Sequence, residues 1–132
     1  MMKKAYIFVA LVVLFSLALA ACGGGGGGGD DAAQRGKDLF AQSVIGTEAG
    51  CSTCHSLDAG VPIVGPSLAG IGTTAASRIS GTSAEDYLHD SIVDPDAYLV
   101  EGFPAGTMPQ VWEDVLTAEQ LSDLVAYLVT LK

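Results

Sequence analysis

The chain has 132 residues and a formal net charge of −9, with fifteen Asp and Glu against six Lys and Arg. A charge of that sign excludes nucleic acid as a partner, because a phosphate backbone is held by basic side chains. The length allows one small domain, and three cysteines and two histidines restrict the metal or redox chemistry it can hold.

Met1-Met2-Lys3-Lys4 opens the chain, and an apolar run from Ala5 to Ala21 follows, broken only by Ser16. A basic start, an apolar core and small residues at its end read as a secretory signal peptide over residues 1–21. Leu19-Ala20-Ala21-Cys22 resembles a bacterial lipobox, in which the cysteine is lipidated and becomes the mature N-terminus. The competing reading is an uncleaved anchor. A helix over this run would reach only about 25 Å, short of a ~30 Å hydrocarbon core, which favours the lipoprotein. This predicts a domain held to a membrane through lipid on Cys22, in a bacterial cell envelope outside the cytoplasmic membrane.

Seven glycines, Gly23 to Gly29, lead into Asp30 and Asp31. Residues 22–32 therefore read as a lipidated cysteine and a flexible tether, with an r.m.s. reach of roughly 18 Å and a stretched limit of about 35 Å. Residues 33–132 form the domain. Without the signal peptide, Arg35, Lys37, Arg78 and Lys132 alone oppose all fifteen acids, so a docking partner is expected to present a basic patch.

A first helix is expected over about Asp31 to Ser43, with Asp31 as its cap and Gly36, Leu39 and Phe40 on one face. A glycine inside a helix costs about 1 kcal/mol against alanine, so Gly36 points to a close crossing by another helix.

Cys51-Ser52-Thr53-Cys54-His55 follows. Cys-x-x-Cys-His is the attachment signature of a c-type haem: two thiols on one helical turn can form thioethers with the vinyl groups, and the adjacent imidazole can bind iron. A thioredoxin-like redox pair would need a βαβ context, and a zinc site two more close ligands. The only other Cys and His are Cys22 and His89.

The intervals 61–80 and 95–115 are rich in Gly and Pro and read as loops. Between them Ser83-Ala84-Glu85-Asp86 reads as a capping box for a middle helix through Leu88 and Ile92, stopped at Asp94-Pro95. Thr117-Ala118-Glu119-Gln120 is a second capping box, and Leu121, Leu124, Val125 and Leu128 then follow at i, i+3, i+4, i+7. Tyr127 flanks that stripe, and the simplest packing sets Gly36 and Phe40 against Leu124, Tyr127 and Leu128. No useful period-two strand appears. The expected fold is all-α, with three main helices and long Gly/Pro loops around one covalent haem c.

An exchange-inert electron carrier fills both axial positions of its iron. Met108, in Gly106-Thr107-Met108-Pro109, is the only Met left once the signal is removed, and it lies on a loop rather than a helical stripe. His89 is the other candidate, but it sits in the middle helix beside Asp90, where a lone His reads as a surface residue. Met108 is therefore assigned as the ligand.

With these residues in place, the chain resembles the class I cytochromes c over essentially the whole domain. Arg35 to Phe40 looks like the first helix of that family, Cys51 to His55 its haem motif, Gly65-Pro66-Ser67-Leu68 its proximal loop, Met108-Pro109 its distal ligand, and Leu124 to Leu128 its terminal helix. The resemblance implies that the Pro66 carbonyl accepts the second N–H of His55.

The segment from Arg78 through Gly81, Tyr87, Pro95 and Gly102-Phe103-Pro104 to Met108 is similar to cytochrome c domains found in bacterial respiratory complexes. That likeness makes Arg78 a candidate partner for a haem propionate, and makes Tyr98 and Trp112 candidates to line the haem. Between Ser43 and Gly50 the chain carries extra residues against the simplest members. The implied function is single-electron transfer between membrane-bound respiratory or photosynthetic complexes, with no small-molecule substrate. A fixed subunit of a quinol-oxidising or oxidase complex is the alternative. A haem enzyme or gas sensor would require Met108 to be displaced from the iron.

Overall fold

In the computed structural model, residues 28–132 are described. The expected signal peptide, Cys22 and the glycines up to Gly27 lie outside the described residues.

Helix α1 (Gly28–Phe40) starts earlier than the sequence suggests, so Asp31 lies in its first turn with Asp30 instead of capping it. Both carboxylates there complement the positive end of the helix dipole. This first turn overlaps the stretch read as tether. The helix also stops short of Ser43, relaxing through turn bonds from Ala41 N–H to the Lys37 carbonyl and from Gln42 N–H to the Leu39 carbonyl.

The extra residues before the cysteine motif form a small antiparallel hairpin of β1 (Val44–Ile45) and β2 (Glu48–Ala49), too short to alter the expected all-α architecture. Val44 pairs with Ala49 and Ile45 with Glu48. Two residues per strand are too few for alternation to register. The turn depends on Gly46 at φ +63°, and the hairpin buries Ile45 while delivering Gly50 to the start of the next helix.

Six helices are present among the described residues, where three main ones were expected. After α2 (Cys51–Cys54) comes α3 (Ile71–Arg78), inside an interval read as loop. Its sequence lacks an apolar stripe beyond Ile71 and Ala75, and tertiary packing overrides its weak propensity. A side chain at Gly72 would run into the carbonyls of Leu128 and Val129, and the Gly72 N–H donates to the Leu131 carbonyl at 2.8 Å.

Helix α4 (Ala84–Val93) starts at Ser83, whose hydroxyl accepts the Asp86 N–H at 3.0 Å. The reciprocal half of that capping box does not form. The Asp86 carboxylate instead accepts the Ser83 hydroxyl at 2.7 Å, because aspartate is one methylene too short to reach back to the cap N–H. The short α5 (Trp112–Val115) also lies within a predicted loop. Helix α6 (Ala118–Thr130) has the full box: Gln120 N–H donates to Thr117 Oγ1, and Thr117 N–H to Gln120 Oε1.

Helices α1 and α6 form the most extensive contact between elements, and they meet at Gly36. A Cβ there would overlap the Asp123 carbonyl and sit 2.9 Å from Tyr127 Cβ. Phe40 and Tyr127 meet beside the crossing with ring centroids 5.7 Å apart and their planes tilted by 57°, and Leu124 is the most deeply buried large side chain. Arg35 clamps the same point from outside with two 2.7 Å bonds to Asp123, a buried carboxylate. Its guanidinium is held further above its usual range, first by that hydrogen bond.

The Gly36→Ala variant gains about 1 kcal/mol of helix propensity but forces backbone against side chain at the crossing, a clash costing about 1–3 kcal/mol or more. The clash wins, so thermal unfolding should show a lower Tm for Gly36→Ala than for the parent.

Candidate functional site

The single turn of α2 is fixed at its start by Gly50, whose carbonyl accepts both the Thr53 hydroxyl at 2.6 Å and the Thr53 N–H at 3.0 Å. A side chain at Gly50 would overlap the Gln42 carbonyl, so the hairpin and this turn lock together. Cys51 and Cys54 are both free thiols. Burial pushes the Cys51 thiol up from its ordinary range.

The chain then leaves the helix at His55 in an extended conformation, φ −119°, ψ 124°. The residues after it fold back onto the motif. Val64 and Gly65 N–H both donate to the Cys54 carbonyl, Leu68 N–H to the Ser56 carbonyl, and the Ser67 hydroxyl to the Asp58 carbonyl. This sets Pro66 beside the imidazole, and His55 Nδ1 lies 2.8 Å from the Pro66 carbonyl. A carbonyl only accepts, so Nδ1 carries the proton and Nε2 keeps its lone pair. Burial lowers the His55 pKa, and the Pro66 bond opposes that only in part. The ring is therefore neutral at neutral pH, as a metal ligand must be. Gly65 makes room for it: a Cβ would lie 2.5 Å from His55 Cε1 and 2.9 Å from Nδ1.

His55 and Met108 line one cleft together with Cys51, Cys54 and Pro66, and the atom-free space within it, open mouth included, is about 1370 Å³. Phe40, Leu88, Leu124 and Leu128 contribute to its lining, so the helix crossing and the cleft share side chains. Met108 is half-buried and packs against the core from an irregular segment.

Arg78 lines the cleft too, its guanidinium 5.7 Å from the Tyr98 ring centroid and 6.0 Å from that of Tyr87, and it forms no ion pair among the described residues. Trp112 is 4% exposed, and its indole N–H is buried with no hydrogen-bond partner. An orphan donor of that kind costs about 1–3 kcal/mol, which a bound acceptor would recover. His89 stays outside the cleft, exposed on α4 with Nδ1 3.2 Å from Asp90.

Every sequence-assigned residue from Cys51 to Trp112 thus lines one cavity, while Cys22 lies outside the described residues. Sequence reasoning missed Ser91, Pro95, Asp96 and Phe103 among the lining residues. Asp96 and Phe103 sit in a segment without periodicity, Pro95 carried a local signal only as a helix stop, and Ser91 lies on α4 between the apolar positions Leu88 and Ile92 that marked that helix.

The residues fit a haem c. Two free thiols at the right spacing, a neutral imidazole with a free Nε2, a thioether, an apolar lining, and a lone cation with an orphan N–H for acidic substituents meet in one space. The chain belongs to the cytochrome c family, whose model, described as Cytochrome c, matches residues 33–132. That family binds haem c covalently through Cys-x-x-Cys-His, the spacing of Cys51, Cys54 and His55, and its members transfer electrons. No curated protein matches the chain.

The Gly65→Ala variant should displace the imidazole from the Pro66 carbonyl, since the ring has no slack on that side. Its ferric protein is expected to show a shifted Soret band and an altered axial-ligand signature by electron paramagnetic resonance, with helix content by circular dichroism unchanged.

Proposed function

We propose that this protein is a membrane-tethered, mono-haem electron carrier whose haem iron His55 and Met108 would ligate. The observation that carries the reading is the His55–Pro66 hydrogen bond, which fixes the imidazole tautomer in a cleft that Met108 also lines.

Bound haem c supplies a one-electron Fe(III)/Fe(II) couple. The chain's residues set its terms. Cys51 and Cys54 would hold the group covalently, and His55 Nε2 and Met108 Sδ would serve as ligands to its iron. With both residues bound, small ligands would be kept off and little rearrangement would accompany electron transfer. The thioether and the apolar walls around Leu88, Ile92 and Leu124 favour the ferrous state, giving a relatively high potential. Arg78 and the Trp112 N–H would hold the propionates, with the Tyr98 ring centroid 5.7 Å from the Arg78 guanidinium. Val64 and Leu99, both exposed, line the cleft and offer apolar contact to a partner at its mouth.

The surface is strongly acidic. Of the domain's four basic side chains, Arg35 is engaged by Asp123 and Arg78 lines the cleft. In this reading the donor and acceptor are membrane-bound redox complexes, and the acidic surface favours partners with basic docking patches. Lipid on Cys22 and the glycine run keep the domain at the bilayer, where tethering raises its local concentration.

Two measurements test this. Met108→Ala should abolish the Met–iron charge-transfer absorption and open the ferrous iron to rapid CO binding at neutral pH; an unchanged spectrum would remove Met108 as a ligand. Intact-mass spectrometry of membrane-extracted protein should show loss of residues 1–21, one haem and acyl chains on Cys22. A mature chain that retains the signal run would sink the lipoprotein reading.

A further inference from the structure

Met108 lies in a segment with almost no support from the backbone. Residues 101–111 contain neither helix nor strand. From Pro104 to Gln110, no backbone–backbone hydrogen bond is donated or accepted among the described residues. Pro104 and Pro109 have no N–H to offer. The Thr107 hydroxyl bonds only to the Pro104 carbonyl within the same segment, at 2.9 Å.

The segment's hydrogen bonds to the rest of the molecule converge on one carboxylate. Asp96 accepts the Gly106 N–H at 3.0 Å on Oδ1 and 3.1 Å on Oδ2, and it accepts the Gln110 side-chain amide at 2.5 Å on Oδ2. Gly106 and Gln110 stand two residues before and two after Met108, so Asp96 grips the loop on both sides of it. Gly106 holds φ +71°, a left-handed conformation open to glycine without strain. Asp96 itself is set by buried Pro95, directly after α4, with the turn closed by an Ala97 N–H bond to the Asp94 carbonyl at 3.0 Å. The grip is thus anchored to a capped helix. Hydrogen bonds to an ionised acceptor are stronger than neutral ones, which suits a single side chain doing the work of a missing backbone ladder.

We infer that Asp96 is the positioning residue for Met108, holding the 104–110 segment closed so that the thioether stays on the iron. It acts through the loop and does not touch the cofactor's iron. This inference rests on the reading of Met108 as the axial ligand.

The test uses the haem-loaded protein and compares Asp96→Ala, Asp96→Asn, Gln110→Ala and Met108→Ala, with Glu85→Gln as a charge-matched control on exposed α4 surface. The readouts are the ferric Met–iron charge-transfer absorption and the rate of CO binding to the ferrous protein. Asp96→Ala should raise the open-loop population, and with it the CO rate, about tenfold or more, the factor that one lost hydrogen bond to a charged group produces. The charge-transfer absorption should weaken in parallel, with helix content unchanged. Asp96→Asn should fall between, because its amide replaces one acceptor with a donor facing Gly106 N–H. Gln110→Ala should have the smaller effect of losing one anchor, and Glu85→Gln none.

If Asp96→Ala does not take up haem, Asp96→Asn and Gln110→Ala decide by the same readouts. Asp96 variants within twofold of the parent, alongside a Met108→Ala variant that loses the absorption, would overturn the positioning role and leave the ligand intact. A Met108→Ala variant that keeps the absorption would overturn the ligand assignment and the inference with it.

Discussion

Everything in this domain depends on how closely α1 and α6 approach at Gly36. With no side chain on α1 at that point, the Asp123 carbonyl comes to rest against its backbone. That proximity lets Phe40 reach Tyr127 and turns Leu124 and Leu128 toward the space that the haem motif faces. A second glycine repeats the device further along, at the C-terminal end of α6, where Gly72 seats α3 on the carbonyls of Leu128 and Val129. The terminal helix is thus gripped by backbone contacts at two places, and the cleft is the volume left between it, α4 and the loops.

The parts of this arrangement that could be read from sequence are those with a local chemical reason. The Cys51–His55 spacing, the Thr117–Gln120 box, the stripe from Leu121 to Leu128 and the odd glycine at position 36 each carry their cause within a few residues. What could not be read depends on distant partners. Helix α3 has no stripe of its own and forms because Gly72 fits α6. The hairpin before Cys51 is too short to show alternation. Asp123 looks like one more surface acid on a helix, yet it is buried because Arg35, 88 positions earlier, lies against it.

The site was legible to a similar depth. Thiols, imidazole and thioether announce themselves by element and spacing. Their supports do not: the fit of Gly65 under the His55 ring, the unpartnered Trp112 N–H and the role of Asp96 appear only when segments with no regular structure are folded against one another. Gly65 is visible in the sequence but what its bare backbone accommodates is not, and the missing partner of the Trp112 N–H leaves no mark in the sequence at all.

The two walls of the cleft also differ in how they are built. On the His55 side, the loop from Ser56 to Leu68 is tied to the motif by two main-chain bonds to the Cys54 carbonyl and to itself by three more, so it yields only if several give way together. On the Met108 side, a proline-bounded segment hangs from one carboxylate. Local opening follows the distribution of such bonds. The two walls therefore differ in what must break before they move: under heat or denaturant the Met108 segment, with fewer bonds to the rest of the fold, should open before the loop that carries Pro66.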